Sequence, residues 1–281
     1  MRITILANSD LPSNYALNLL VASLSAHDLT IFLSDRVGKR STRPSALKNL
    51  EFFEQSLFTS LLFPLMDEES LQRLRKESPN NSHQLLSFAG LGEKIGKPIL
   101  VLNAINNGQD LNTLIDSEPD LIVSLRYGVI LKSKVISVPK FGVINLHSGL
   151  LPAYKGVMAT FRALQAGEVT IGTTLHYITD ASIDTGPVIG TTTMDVIPGK
   201  SYLWHVLNLY PDGSKLIAAS VEVILNKGRV DSVSQDPGGR YYSFPTDDDL
   251  DLFEQAGNHL FDVEEILEFA NQYIPVRNRD N

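Results

Sequence analysis

Short apolar runs alternate with helical stretches through the first half of the chain, and this alternation most limits the folds open to it. Residues 1–6, 29–33, 98–102 and 121–125 each read as a buried strand rich in Ile, Leu and Val. Between them lie apolar residues at helical spacing. Leu17, Leu20, Val21 and Leu24 share one face of a helix expected over 15–25, capped by Ser13 or Asn14. Leu111, Leu114 and Ile115 do the same over 108–117. Strands joined by helices imply an α/β fold: an open, mostly parallel sheet with helices on both faces. Such sheets bind ligands at the carboxyl ends of their strands.

One strand carries polar residues at that end. Residues 141–152 read FGVINLHSGLLP, a strand over 142–147 running into a proline-closed loop. Side chains alternate along a strand, so Asn145 and His147 share one face while Ile144 and Leu146 share the other. Alone, such a pair could be ordinary satisfied polar residues. A second stretch, 172–189, reads GTTLHYITDASIDTGPVI. A β-branched strand over 173–178 ends in a polar loop, and Asp184-Thr185-Gly186-Pro187 is turn chemistry ahead of a new strand from Val188. Asp184 therefore lies on a loop between strands, where a turn or capping aspartate is common.

Together the two stretches resemble the 10-formyltetrahydrofolate-dependent formyltransferases. That family includes glycinamide ribonucleotide transformylase, methionyl-tRNA formyltransferase and the sugar N-formyltransferases. The residues that carry the resemblance are Asn145-Leu146-His147, then Leu150-Leu151-Pro152-Ala153-Tyr154-Lys155-Gly156, then Leu175-His176 and Asp184-Thr185-Gly186. It covers roughly residues 95–228. The resemblance implies a Rossmann-like sheet, 10-formyltetrahydrofolate as cosubstrate, no metal, and Asn145, His147 and Asp184 as catalytic residues. It also implies that Tyr127, Gly128, Val129, Ile130 and Leu131 line the pterin pocket, with Ile178, Asp180 and Ile183 as further folate contacts. There is one departure. The family usually has serine directly before Leu-Leu-Pro; here Ser148 stands one place early and Gly149 takes its position. Any acceptor contact made by the usual serine is thereby put in question.

The implied chemistry suits these side chains. An amine attacks the formyl carbon, an oxyanion forms, and N10 of the folate leaves. Fixed donors to an oxyanion contribute roughly 2.7–4 kcal/mol each, and a positioned acid–base group roughly 10²–10⁴ in rate. Asn145 can donate to the oxyanion, His147 can donate or move the proton, and Asp184 can hold His147 or a water. His176, on the facing strand, reads as a packing or supporting histidine.

Composition narrows the alternatives. There is no cysteine, so no thiolate metal site or disulfide forms, and the six histidines show no ligand spacing. The first strand leads into Ala7-Asn8-Ser9-Asp10-Leu11-Pro12, without the glycines of a dinucleotide site. A net charge of -8 speaks against a nucleic-acid partner. The N-terminal apolar run is short for a signal peptide, and no stretch approaches the ~20 apolar residues of a membrane span. The expectation is a cytoplasmic enzyme with neither membrane nor nucleic-acid partner.

The remaining segments frame a catalytic domain over 1–228, with an insertion at about 36–93 and a C-terminal appendage over 229–281. In the insertion, Arg36, Lys39, Arg40 and Arg43 form a basic loop, and helices are expected over 45–62, 67–76 and 84–95. The apolar residues between Leu57 and Leu65 read as satellite core, a lid or a homodimer contact. Helices are also expected over 156–166 and 201–225, the latter broken at Pro211-Asp212-Gly213, with Trp204 in the core or on the acceptor side. In the tail, residues 240–245 read as a short strand, and Thr246 with Asp249 as a helix cap. In so short a tail the extra barrel of the methionyl-tRNA enzymes is not expected. The expected acceptor is therefore a small-molecule amine, favouring a nucleotide-linked amino sugar over a hydroxylated amino-acid amine. Hydrolysis of the formyl group by water is the other alternative.

Overall fold

A computed structural model describes residues 1–35, 43–67 and 84–274. Its first strand, β1 (Arg2–Asn8), lies in the middle of the sheet and is followed by helix α1 (Leu11–Ser23) and β2 (Asp28–Ser34). α1 starts four residues earlier than its apolar spacing suggests. Asp10 caps it by accepting from Ser13 N at 2.8 Å, and Pro12 falls in the first turn, where a missing N–H costs nothing.

The next helical stretch begins as α2 (Ser45–Glu51), widens into a π-helix over Phe52–Leu62 and ends as α3 (Phe63–Asp67). Phe58, Phe63 and Met66 join the main core, while Leu61 and Leu65 are about half exposed. All but Asp67 of the helix expected over 67–76, the polar break after it, and Arg36, Lys39 and Arg40 lie outside the described residues. α4 (Phe88–Ile95) starts later than expected, because Ser87 caps it by accepting from Gly90 N at 3.0 Å.

Then follow β3 (Leu100–Val101), α5 (Gly108–Asp116), β4 (Leu121–Leu125), α6 (Ser133–Ile136) and β5 (Val143–His147). Beyond them come β6 (Tyr154–Gly156), α7 (Ala159–Gln165), β7 (Thr170–Ile178), β8 (Val188–Asp195) and α8 (Tyr202–Lys227). The chain closes with β9 (Arg240–Tyr242), α9 (Asp247–Gln255), α10 (Val263–Ala270) and a 3-10 turn over Asn271–Tyr273.

Seven strands form the main sheet in the order β3-β2-β1-β4-β5-β7-β8. Pairing is parallel from β3 to β5 and antiparallel at β5–β7 and β7–β8. The chain moves outward from β1 to β3 and then returns to β4 on the other side of β1. This leaves a switch point at the carboxyl ends of β1 and β4, where such sheets open a crevice.

Strand alternation sorts the core into two layers. Ile3, Ile5, Ala7, Ile144 and Leu146 face the larger layer, under α1 and α8. Leu6, Ile122 and Val143 face the smaller one, with Leu111, Leu114 and Val135 of α5 and α6. On β5, Asn145 and His147 share the face of Val143. The apolar layer therefore ends where that strand turns polar.

Two further expectations are corrected. α7 begins at Ala159 rather than 156, because residues 154–156 are drawn into a parallel pair with β9. α8 runs unbroken through Pro211. Proline removes one backbone hydrogen bond there, but Leu207, Leu209, Tyr210, Ser214 and Ile217 are buried on either side and hold the helix against the sheet. A Cβ on Gly213 would lie 2.7 Å from Leu146 Cδ2, so glycine is what lets α8 approach β5 this closely.

The last segment packs onto the rest of the chain. Thr246 and Asp249 form a reciprocal cap at the start of α9. The rings of Phe253 and Phe161 lie 4.4 Å apart, and Arg162 pairs with Asp249 at 2.7 Å. Tyr273 is buried and donates to Asn14 Oδ1 at 2.7 Å. Among the described residues, no helix is long and apolar enough to cross a membrane.

Candidate active site

A cavity of about 520 Å³ opens at the carboxyl ends of β1, β4 and β5. Asn8, Ser124, Asn145 and His147 form its floor, and Asp184 reaches in from the loop between β7 and β8. Tyr127, Gly128, Val129, Ile130 and Leu131 form one wall, joined by Ile178, Asp180 and Ile183. The residues singled out in the sequence thus surround a single cavity.

The 127–131 loop is held by its backbone. Gly128 N donates to Ser34 Oγ at 2.8 Å, and Asn106 Nδ2 donates to Ile130 O at 2.9 Å. Tyr127 anchors the turn by donating its hydroxyl to Leu102 O.

His147 is buried, with both ring nitrogens facing oxygen. Nε2 lies 2.6 Å from Tyr154 O; a carbonyl only accepts, so Nε2 carries a proton. Nδ1 lies 3.5 Å from Asp184 Oδ2. The same Oδ2 accepts from Gly156 N at 2.7 Å. Burial pushes the Asp184 carboxyl up, but His147, His176 and the Gly156 N–H outweigh it and hold the group below its ordinary value.

His176 was expected to pack or support; the structure gives it a place in the polar cluster. Its Nε2 lies 3.1 Å from Asn145 Nδ2 and 3.5 Å from Asp184 Oδ1, while its Nδ1 lies 2.9 Å from Tyr177 O. With Nδ1–H donated to that carbonyl, Nε2 can accept from Asn145. One amide hydrogen is thereby fixed and the other is left for the cavity. The signal for this was register: β5 and β7 pair Asn145 directly with His176.

Backbone strain gathers at the same place. Asp184, Arg126 and Met158 adopt left-handed conformations, with φ of 54°, 52° and 54°, and all three line the cavity. Gly156, at φ 94°, has no room for a side chain: a Cβ would lie 2.2 Å from Tyr242 O. Gly186 is equally constrained, with Tyr177 O only 1.8 Å from where its Cβ would stand. Gly149 follows the same logic. A Cβ there would meet Ala159 Cβ at 2.5 Å and His147 Nε2 at 2.9 Å, so the usual serine would displace the histidine.

The opposite wall carries a cluster of which sequence reading singles out only Arg43. Arg126 pairs with Asp10 at 3.0 Å and with Glu54 at 3.2 Å. Burial opposes the charge on Arg126, but Asp10 and Glu54 outweigh it and hold the guanidinium well above its ordinary value. Burial pushes the Glu54 carboxyl up to about 7, against the pull of Arg126. Neighbouring Arg43 pairs with Glu51 at 3.2 Å and stacks on Phe244 at 4.2 Å. These residues come from the cap of α1, the approach to α2 and its end, the π-helix, the loop after β4 and the tail, so no local pattern joins them. Trp204 lies away from the cavity beside Lys200, and it is Tyr202 that reaches the wall.

Residues 69–203, which include Asn145, His147, Asp184 and the loop 127–131, match the formyl transferase family. That stretch, just under half of the chain, is similar to the formyl transferases. The fold is shared with a 4-N-formyltransferase from Francisella tularensis, which superposes with a TM-score of 0.55 at 15% identity, covering 86% of this chain and 76% of that one. A sugar 3N-formyl transferase, solved in the presence of dTDP and 5-N-formyl-THF, superposes with a TM-score of 0.53 at 17% identity, covering 86% and 70%. By sequence, a methionyl-tRNA formyltransferase from Neisseria meningitidis serogroup C is 32% identical over 138 residues, 49% of this chain and 44% of that protein. The chain thus spans about half the length of the curated relatives it matches.

Proposed function

We propose that this chain transfers the formyl group of 10-formyltetrahydrofolate to the primary amine of a small-molecule acceptor, and that a nucleotide-linked amino sugar carries the amine. The observation that carries the reading is the convergence of Asn145, His147 and Asp184 on one cavity whose other wall is the loop 127–131. The sugar acceptor draws support from the sugar 3N-formyl transferase that shares the fold.

In this reading the folate occupies the wall of Tyr127, Gly128, Val129, Ile130, Leu131, Ile178, Asp180 and Ile183. The amine nitrogen attacks the formyl carbon, and the carbonyl π electrons move onto oxygen. Asn145 Nδ2, oriented by His176, donates its second hydrogen to that oxyanion. His147 keeps its Nε2–H on Tyr154 O, so Nδ1 is the atom that can take the proton released by the amine. Asp184, 3.5 Å away, stabilises the positive ring. The intermediate collapses, the bond from carbon to N10 breaks, and the proton passes to N10.

The test is folate release from 10-formyltetrahydrofolate with a panel of amines, with buffer alone, and with a His147→Ala control. Release that depends on one nucleotide-linked amino sugar and is lost in the control is the expected result. Equal release in buffer alone would replace the transferase with a hydrolase. Release with a different amine would replace the acceptor and leave the chemistry standing.

A further inference from the structure

The segment after α8 splints the loop that carries Asp184. Its first contact is at Val230, whose backbone N donates to Tyr177 Oη at 3.2 Å. Val233 and Val188 then exchange backbone hydrogen bonds, both at 2.8 Å. Next, Gln235 Nε2 donates to Asp184 O at 2.9 Å and to Gly186 O at 2.8 Å. Finally β9 pairs with β6, placing Tyr242 opposite Gly156, whose N–H holds Asp184 Oδ2.

Three features argue that Gln235 does more than fill space. Only an NH2 group can face two carbonyls, so its amide orientation is forced. Among the described residues its Oε1 is buried without a partner, a penalty seldom accepted without a compensating role. The residue it grips is in a left-handed conformation at φ 54°, which must be held from outside.

We infer that Gln235 is a positioning residue for Asp184, gripping its backbone so that the carboxylate meets His147. The inference rests on the formyltransfer reading above. Asp184 has two tethers, one at its carbonyl and one at its carboxylate, and the segment 230–242 supports both. Without the grip at Asp184 O and Gly186 O, the loop relaxes and the carboxylate leaves Nδ1 of His147.

The experiment compares wild type with Gln235→Ala and Gln235→Glu in the folate-release assay, recording kcat, both KM values and the melting temperature. Gln235→Ala should lower kcat about tenfold, the scale of two weakened neutral hydrogen bonds, with both KM values within about twofold. Gln235→Glu cannot donate while ionised, so its kcat should fall further at neutral pH and recover towards that of Gln235→Ala in acid, as the carboxyl gains a proton. A kcat equal to wild type in Gln235→Ala would overturn the inference. So would a loss confined to KM, or one matched by the loss of folded protein. The histidine ring signals of ¹⁵N-labelled protein provide a readout independent of turnover. They should show the His147 resonances moving in Gln235→Ala, and unmoved resonances overturn the inference. If wild type transfers to no amine while those resonances move, the functional reading fails and the positioning stands.

Discussion

Nδ1 of His147 lies 3.5 Å from Oδ2 of Asp184, and the two residues come from a strand and a loop that only the folded sheet brings together. The carboxylate is also held by Gly156 N and lies beside His176, so its charge is the hub of the polar cluster.

Asp184→Asn keeps the shape and removes the charge. It should lower kcat by roughly 10²–10⁴, the span expected when positioned acid–base chemistry is lost, while folate affinity changes little. Single-turnover folate release alongside equilibrium folate binding checks this; an equal loss in both would assign Asp184 to binding.

The same charge sets an acid limit on stability. Asp184 titrates below its ordinary 3.8 in the fold. A carboxyl with a depressed folded value contributes stability that is complete above the unfolded value and lost as pH falls through the folded one. Melting curves of wild type should therefore drop more steeply below about pH 4 than those of Asp184→Asn. Parallel curves would show that the carboxylate carries no net stabilisation.

Glu54 acts in the opposite sense. Its carboxyl is raised to about 7 by burial, from an ordinary 4.5. A raised group stabilises fully below the unfolded value and loses that contribution as pH rises through the folded one. Glu54→Gln should therefore gain on wild type as pH rises from 5 to 8, by on the order of 3 kcal/mol at most. The difference in melting temperature across that range is the measurement; a constant difference would mean that Arg126 fully compensates the buried charge.

His176 should act on catalysis through Asn145. His176→Phe removes the acceptor for Asn145 Nδ2 and should lower kcat about tenfold, the value of one oriented donor partly lost. In an Asn145→Ala background the same change should cost much less. Equal costs in both backgrounds would assign His176 a separate role.

Gly149→Ser restores the usual family residue to a place with no space for it. The Cβ would meet both Ala159 and His147, so the variant should lose about 1–3 kcal/mol of stability as well as turnover. Denaturant unfolding with the folate-release assay tests both, and a fully stable, active serine variant would show that the loop can yield.

Much of the sheet was legible because its signals are local. β1, β2 and β4 are apolar runs bounded by polar turns, and burial on both faces leaves few other conformations open to them. Asn145 and His147 sharing a face follows from the period of a strand alone. The helix ends were less legible. α1 is set by the Asp10 side chain and by a proline that is harmless only in a first turn. α8 survives Pro211 because buried neighbours on both sides hold it, and no sequence window contains those neighbours. The helix expected from Gly156 starts later because β9, far along the chain, pairs with residues 154–156.

By itself the sequence determined the α/β class, the Asn-x-His strand end, the Asp-Thr-Gly turn and the family they resemble, since each depends on residues adjacent in the chain. Tertiary structure decided the rest of the site. Side-chain geometry between distant segments put His176 against Asn145, joined Arg126 to Asp10 and Glu54, and set Gln235 on the backbone of Asp184. These contacts arise from strand register, loop strain and buried charge. Such quantities exist only once the chain has closed on itself, because each is a relation between groups that the sequence keeps far apart.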